Sequence, residues 1–268
     1  EVACVKAMWV PTAAITDFSH VAAHLAKKIE EAGNEIELGF AVTKIRLSPD
    51  GQVWLQSSDR TVADEYLVTC GGLFSDVRAR QAGAKVPTRI VPFRGEYYSL
   101  SADAAARVRG LIYPVPDPRF PFLGVHLTRM ISGGVEAGPN AVLAFAREGY
   151  SKTDISLRDL ARTVAFPGFW RMAARYWGEG THEMLRSVSK TLFLRSLQQL
   201  MPNLQASDLV PGGAGVRAQA LNTDGTLVDD FVIHRSERAL HVINAPSPAA
   251  TASLAIGEHV AMQVLESI

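Results

Sequence analysis

The chain has 268 residues, 47% of them hydrophobic and 20% charged, and its 27 basic and 27 acidic side chains cancel to a formal net charge of zero. This length supports one large domain or two smaller ones, each with its own hydrophobic core. Zero net charge argues against nucleic acid as the main partner, because phosphate binding needs a surplus of basic residues. The sequence holds no run of about 18–20 apolar residues that would span a membrane. Its two cysteines are too few for a disulfide framework or a thiolate zinc site, which favours a reducing, cytoplasmic location.

The first third of the sequence predicts one helix, a set of short strands and a second helix. Asp17 or Ser19 is suited to cap a helix whose apolar residues recur at helical spacing until Gly33. Strand-like segments follow, and a turn at 48–51 separates the first two. The predicted elements are strands at 35–47, 52–56 and 65–70, a helix at 75–83 and a strand at 89–100.

The rest of the sequence favours discontinuous pieces of two domains. Four prolines between Gly110 and Pro139 argue against a helix there. The predicted elements are strands at 122–128, 133–137 and 140–146, helices across 156–201, strands at 214–221, 227–234 and 239–244, and a last helix after Pro248. Because no repeat, low-complexity tract or flexible linker separates these pieces, we expect two interleaved domains.

The last strand and helix are joined by small residues at 245–251. Such a turn places free backbone N–H groups and the positive end of a helix dipole at one point, where a ligand can approach closely. A second interpretation is a terminal helix capped by Ser247, with Pro248 as its first residue. The sequence alone leaves both interpretations open.

Three further segments carry side chains suited to chemistry. Arg217 lies in an apolar strand after a glycine-rich turn, and a guanidinium there needs an anionic partner, either a ligand carboxylate or an aspartate of the chain. Arg94 and Tyr97 share a predicted strand. Tyrosines on strands are usually half-buried packing residues, so Tyr97 is either a packing residue or a ligand-binding one. His126 lies at mid-strand, where a histidine is either a core residue or a catalyst.

Several common catalytic motifs are absent from the sequence. It contains no H-E-x-x-H or Cys/His zinc spacing, so no metal site is predicted. It contains no G-x-S-x-G elbow, no phosphate-binding P-loop and no G-x-G-x-x-G turn. These absences argue against serine hydrolases, P-loop enzymes and simple nicotinamide dehydrogenases.

Seven sequence blocks, taken together, carry a family resemblance. They are PFRGEYY at 92–98, YPVP at 113–116, FLGVH at 122–126, GPNAVLAF at 138–145, REGY at 147–150, GVRAQ at 215–219 and NAPSPAAT at 244–251. With these blocks in this order, the chain resembles the L-2-hydroxyglutarate dehydrogenases (or oxidases) of the FAD-dependent D-amino-acid oxidase superfamily. The resemblance covers essentially the whole chain.

The resemblance implies an α/β (α+β) fold like that of D-amino-acid oxidase. Residues 1–88 and 211–268 would form a partial Rossmann-like FAD-binding domain, interleaved with a mixed-sheet substrate domain, residues 89–210, that carries a helical insert. Family members begin with a strand and a G-x-G-x-x-G turn that holds the FAD pyrophosphate. The sequence begins at Glu1 and shows neither feature. We therefore expect that the amino-terminal nucleotide-binding segment has been removed.

The resemblance also implies FAD as the cofactor. Segments 41–43 and 70–76 resemble the family's adenine-binding strand and glycine turn, and segment 247–251 would lie at the pyrimidine end of the flavin. The residues assigned to the cofactor are Val42, Gly71, Gly72, Gly215, Ser247, Pro248, Ala249, Ala250 and Thr251.

The implied reaction is oxidation of L-2-hydroxyglutarate to 2-oxoglutarate, with hydride leaving for flavin N5 and a base taking the hydroxyl proton. His126 is the predicted base, because a neutral imidazole accepts protons at pH 7. Arg217 is the first choice for binding a substrate carboxylate, with Arg94 and Tyr97 as second choices and Asn140 as a further hydrogen-bonding residue. Quinone or oxygen would receive the electrons.

Two other functions remain open at the level of sequence. One is a related flavoenzyme that oxidises an amino acid, sarcosine or glycerol 3-phosphate, and the other is an inactive remnant that cannot hold FAD. The aromatic and basic residues of 156–201 indicate either packing between helices or peripheral contact with the inner face of the cell membrane.

Overall fold

The computed structural model describes residues 2–49, 51–115, 124–246 and 249–267. The chain divides into two compact units. The first unit comprises residues 1–16 and 91–217, and the second comprises residues 17–90 and 218–268. Each unit thus combines two separate stretches of the chain. The fold mixes helices with parallel and antiparallel strands.

The described residues form the following elements. The helices are α1 (Phe18–Glu31), α2 (Ser75–Gln81), α3 (Ala102–Ala105), α4 (Leu157–Val164), α5 (Pro167–Arg175), α6 (Trp177–Val188), α7 (Lys190–Gln198) and α8 (Ser253–Leu265). The strands are β1 (Lys44–Leu47), β2 (Val53–Gln56), β3 (Thr61–Asp64), β4 (Leu67–Thr69), β5 (Arg89–Leu100), β6 (His126–Arg129), β7 (Val135–Gly138), β8 (Val142–Leu143), β9 (Leu209–Leu221), β10 (Val232–Ser236) and β11 (Ala239–Asn244). Among the described residues, no helix has both the length and the apolar character needed to cross a bilayer.

The sheet of the first unit is built around β5. β7 and β8 follow one another along β5 and are both antiparallel to it, with Tyr98 opposite Ala137 and Phe93 opposite Leu143. β6 continues the sheet beyond β7, and β9 pairs with β5 as well. One face of this sheet is apolar and packs against α7. Its core cluster contains Leu100, Val125, Leu127, Val135, Ala137, Phe193, Leu194 and Leu197. The opposite face is left for polar side chains.

The second unit contains two three-stranded sheets. In the first, β11 pairs with β4 in parallel and with β10 antiparallel. In the second, β1, β2 and β3 form an antiparallel meander. α2 covers one side of β11 through Ala79 and Ile243, and α8 covers the other side through Val260 and Leu240. This arrangement directs the carboxyl ends of β4 and β11 to the same edge of their sheet.

The observed elements differ from the predicted ones at several places, of which two lie in the first third of the chain. Residues 35–43 form no strand: residues 38–39 form a turn, and Thr43 donates to the carbonyl of Gln56 just before β1 begins. The prediction omitted β3, whose exposed residues show no apolar alternation. The predicted strand at 122–128 lies partly outside the described residues, which include it from residue 124 onward.

Candidate active site

The open face of the first unit's sheet carries a row of side chains from neighbouring segments. His126 on β6 pairs directly with Gly138 on β7, and the register of β7 on β5 places Tyr97 next to Gly138. Beyond β6, Ile112 forms a bridge with Leu127, which brings the following residue, Tyr113, beside His126. Directly opposed residues point to the same face. The three rings of Tyr113, His126 and Tyr97 therefore lie on one face, with a glycine between the last two.

Gly138 provides the gap in this row. Its φ of 146° lies in a region that L side chains rarely adopt, and a Cβ there would lie 2.9 Å from the carbonyl oxygen of Glu96. The same Cβ would lie 3.2 Å from Cδ1 of Tyr97. A side chain at this position would therefore displace the Tyr97 ring and fill the space between it and His126.

His126 has the hydrogen bonding and environment of a neutral base. Its Nδ1 lies 3.0 Å from the carbonyl oxygen of Gly124. Because a carbonyl only accepts, Nδ1 carries the proton and Nε2 presents a lone pair. Burial lowers the pKa of the imidazole below its usual 6.5, and the hydrogen bond that Nδ1 donates to the Gly124 carbonyl only partly offsets this effect. His126 is therefore uncharged at neutral pH and can accept a proton at Nε2.

Tyr97 remains a phenol under the same conditions. Burial raises its pKa above 10.0, and the nearby carboxylate of Glu136 and hydroxyl of Tyr113 raise it further. The hydroxyl is therefore a hydrogen-bond donor at neutral pH. A donor next to a base suits a substrate that presents an oxygen atom to both.

Arg217 also lies on the open side of the sheet. The carbonyl of Asp208 accepts a hydrogen bond from Ser101, and Gly212 lies against Tyr97 and Ser99, so β9 runs antiparallel to β5. Along β9, Gly215 and Arg217 are exposed and alternate with half-buried residues. Continuing this register without a bulge, Arg217 points to the same face as Tyr97 and lies opposite Phe93.

Arg94 and Asn140 lie on the other side of β5, away from this row. Arg94 is buried, and its Nη2 lies 2.9 Å from Oε1 of Glu96. Its Nη1 donates to the carbonyl of Ser151 at 3.1 Å. The Asn140 amide binds Glu96 twice, accepting from its backbone nitrogen at 2.8 Å and donating to Oε2 at 3.0 Å. Both side chains are thus engaged by protein groups, and their assignment to substrate remains a prediction.

In the second unit, two predicted cofactor segments follow neighbouring parallel strands. Gly71 and Gly72 come after β4, and residues 249–251 come after β11. The hydroxyl of Ser75 lies between the two strand ends, 2.7 Å from the carbonyl oxygen of Ile243 on β11 and 2.9 Å from that of Gly72, and its single proton can be donated to either. Val42, assigned to the same cofactor, packs on the core cluster that contains Leu67 of β4.

The start of the last helix differs from its prediction. α8 begins at Ser253, and residues 249–252 form turns in which Ala252 and Ser253 donate to the carbonyls of Ala249 and Ala250. The helix predicted after Pro248 therefore begins several residues later, at Ser253, because the N–H groups of Ala252 and Ser253 bond to carbonyls three residues back, as in a turn. The predicted cap Ser247, and Pro248 itself, lie outside the described residues.

The residues present fit FAD at the carboxyl edge of β4 and β11. A Cβ on Gly71 would lie 3.2 Å from the backbone nitrogen of Ser75, and Gly72 has a φ of 50°. Glycine at both positions lets the backbone turn sharply and exposes its groups to a ligand. Dinucleotides bind at the carboxyl ends of parallel strands in α/β sheets. The described residues contain no group of three or more potential metal ligands.

Sequence reasoning missed three residues near these sites. Tyr113 was not singled out because its contact with His126 depends on the bridge between segment 110–115 and β6. Glu136 was missed although strand alternation places it two residues before Gly138 on the open face. Glu96 was noted only as part of a block, since its buried partners come from distant segments.

Comparison with known proteins places the chain in a family. A sequence model described as FAD dependent oxidoreductase (DAO) matches residues 2–263. The L-2-hydroxyglutarate dehydrogenase of Indibacter alkaliphilus is 48% identical over 254 residues, which make up 94% of this chain and 63% of that protein. The mitochondrial L-2-hydroxyglutarate dehydrogenase of Nematostella vectensis is 43% identical, with 96% of this chain and 60% of that protein covered. The chain spans about three fifths of the length of these curated relatives.

Solved structures share the fold at low sequence identity. The FAD-bound L-α-glycerophosphate oxidase of Mycoplasma pneumoniae superimposes with a TM-score of 0.62 at 18% identity, covering 87% of this chain and 52% of that one. Glycine oxidase of Geobacillus kaustophilus gives 0.54 at 17% identity, covering 92% and 54%. Because the family match spans nearly every residue, this chain belongs to the family of FAD-dependent oxidoreductases.

Proposed function

We propose that this chain carries out the FAD-dependent oxidation of L-2-hydroxyglutarate to 2-oxoglutarate and passes the electrons to quinone or oxygen. The observation that carries the proposal is 48% identity, over 94% of this chain, to a protein named L-2-hydroxyglutarate dehydrogenase. The row of Tyr113, His126 and Tyr97 supports it, because a base and a donor lie on one open face of a sheet.

The second unit would hold the cofactor with small residues and backbone groups. Gly71, Gly72 and residues 249–251 lie at the ends of parallel strands, where a dinucleotide fits. Val42 and Gly215 are further contacts assigned by resemblance, as are Ser247 and Pro248. When bound, FAD supplies a two-electron acceptor for the hydride that leaves the substrate carbon.

His126 would take the proton in this reaction. As the C2–H bond breaks and the C2–O bond becomes a carbonyl, the hydroxyl loses its proton to Nε2 of His126. The hydrogen bond from Nδ1 to the Gly124 carbonyl fixes the tautomer that this step needs. Burial also favours the neutral imidazole before the step begins.

Tyr97 and Arg217 would bind the two carboxylates and the reacting oxygen. A five-carbon dicarboxylate needs two separate anchors, since one cation can pair closely with only one carboxylate. The phenol of Tyr97 lies beside His126 and suits the end that carries the hydroxyl group. Arg217, farther along the open side beyond Gly215, suits the other carboxylate through a bidentate pair.

The proposal is tested by anaerobic reduction of the purified protein with FAD. We expect L-2-hydroxyglutarate to bleach the visible flavin absorption and to yield 2-oxoglutarate in equal amount. The D-enantiomer is the matched control, because it presents its C2 hydrogen in the opposite direction. Glycine, sarcosine and glycerol 3-phosphate test the related activities. Bleaching by one of these and not by L-2-hydroxyglutarate would replace the proposed substrate, and a colourless protein after incubation with FAD would contradict the proposal altogether.

We also propose peripheral contact between the first unit's helices and the inner face of the cell membrane. Trp170 on α5 is 59% exposed and Trp177 on α6 is 71% exposed, and Arg171 and Arg175 lie on the same helix as Trp170. Exposed tryptophans beside basic residues favour the surface of anionic lipids. Sedimentation with phosphatidylglycerol vesicles tests this, with uncharged vesicles as control. Equal recovery in the supernatant with both vesicles would contradict the contact.

A further inference from the structure

Tyr113 lies directly beside His126 on an extra edge of the sheet. Ile112 and Leu127 exchange two backbone hydrogen bonds of 2.9 Å, so segment 110–115 pairs antiparallel with β6. The next pair in this register is Tyr113 opposite His126. Both side chains therefore rise from the open face as immediate cross-strand neighbours.

The two rings are stacked. Their centroids lie 4.4 Å apart and their planes differ by 19°. The phenol oxygen lies 3.3 Å from the hydroxyl oxygen of Thr128, two residues after His126 on the same strand. The phenol is thus held at both its ring and its hydroxyl, although Tyr113 is 47% exposed.

We propose that Tyr113 is a positioning residue for His126: its ring holds the imidazole plane while the Gly124 carbonyl holds Nδ1, so that Nε2 points to one place on the open face. This inference rests on the proposed function, in which Nε2 takes the substrate proton. The ring contact and the Nδ1 hydrogen bond are complementary constraints, since stacking restricts the tilt of the imidazole plane and the hydrogen bond selects between the two orientations related by a half-turn about the Cβ–Cγ bond.

The constraint matters because His126 is only half-buried. Terminal torsions of histidine have broad energy wells, so hydrogen bonding and packing decide where the ring nitrogens point. Tyr113 also excludes water from one face of the imidazole, which contributes to the burial that lowers the pKa of His126. Loss of the ring would free the plane and hydrate the imidazole.

The experiment compares Tyr113→Leu with Tyr113→Phe in the purified protein with FAD. Nitrogen–proton correlation spectra of the imidazoles report the tautomer and pKa of His126, whose signals are assigned by their absence in His126→Ala. We expect Tyr113→Leu to mix the tautomers and raise the pKa of His126 towards 6.5. Its kcat should fall about tenfold or more, because displacement of a catalytic group by about 1 Å carries such a cost. The acid limb of its kcat/KM profile should move to higher pH.

Tyr113→Phe keeps the ring and should keep the parent tautomer and pKa of His126. Tyr150→Leu is the matched control, because Tyr150 is 53% exposed in the same unit and should not affect the imidazole. An unchanged tautomer, pKa and pH profile in Tyr113→Leu would overturn the proposal, as would equal changes in Tyr113→Phe. If Tyr113→Leu alters the imidazole while His126→Ala retains full turnover, the positioning contact is supported and the assigned base is wrong.

Discussion

At the scale of single residues, the assignment of His126 as the base predicts both a rate and a pH dependence. Replacement by Ala should lower turnover by about 100-fold or more, because it removes the proton acceptor. Since burial lowers the pKa of His126 below 6.5, the parent activity should persist at pH 6.5 and fall as the pH drops through this lowered value. Steady-state kinetics between about pH 4.5 and 8, in steps of about half a pH unit, measure both effects.

The exposed His182 on α6 provides the matched control for this substitution. His182→Ala should retain the parent turnover and the parent pH profile. If His126→Ala retains them as well, the base lies elsewhere on the open face, and Glu136 is the next residue to replace.

Arg217 allows a second prediction at this scale, in which charge and geometry are separated. Arg217→Lys keeps the positive charge but loses the planar fork that binds a carboxylate through two hydrogen bonds. We expect KM for L-2-hydroxyglutarate to rise about tenfold with a smaller change in kcat, and Arg217→Gln to raise KM further. A fall in kcat at unchanged KM would instead place Arg217 outside substrate binding.

At the scale of elements, the half-buried carboxylate of Glu96 joins β5 to its neighbours. It accepts hydrogen bonds from Arg94, Asn140 and Ser187, and Lys152 lies 3.4 Å away. Burial would raise the pKa of Glu96, but the hydrogen bonds from Ser187, Asn140 and Arg94, with the charge of Lys152, hold it below 4.5. This network joins the PFRGEYY block to the GPNAVLAF block, since Asn140 is bound to Glu96.

Glu96→Gln should therefore destabilise the first unit. The amide would present a donor to Asn140 and Ser187, which already donate, and the buried Arg94 would lose its counter-charge. Removal of one partner of a buried ion pair costs about 3–5 kcal/mol. Denaturant unfolding measures the loss, and Glu136→Gln on β7 is the control, because it makes the same chemical change on the open face. If the two variants have the same free energy of unfolding, the Glu96 network contributes little to the stability of the first unit.

The sequence was sufficient to predict elements whose pattern is local. The strand at 89–100 was predicted with the bounds of β5, and Gly33 was predicted to end α1, which it follows by two residues. The family and its FAD dependence were predicted from blocks and are confirmed by the family match. The contact of Tyr113 with His126 was missed, because it depends on a strand pairing that leaves no periodic trace in the sequence. The start of α8 was placed too early for a similar reason, since Ala249 and Ala250 can enter either a helix or a turn.

At the scale of the whole molecule, the two units contain different titratable groups whose pKa values are shifted by the fold. The first unit contains Glu96, and the second contains His241, which is fully buried on β11. Its Nδ1 lies 2.8 Å from the hydroxyl oxygen of Thr69, and among the described residues its Nε2 has no hydrogen-bond partner. Burial and the neighbouring His234 lower the pKa of His241 from 6.5 to about 4. The neutral ring is therefore the form that folding favours.

These groups predict that the second unit is the first to lose stability in acid. An unfolded histidine takes up a proton near pH 6.5 and the folded His241 only near pH 4, so stability falls as the pH drops across this interval, by an amount on the order of 2–3 kcal/mol. Glu96 has a lowered pKa, so its contribution is retained above pH 4.5 and is lost only at lower pH. Hydrogen exchange, corrected for its intrinsic pH dependence, should lose protection in β4 and β11 at a higher pH than in β5 and β7. His241→Gln removes the titrating group of the second unit and should abolish the dependence of β4 and β11 between pH 6.5 and 4, and an unchanged dependence of these strands in that variant would assign the acid sensitivity to another group.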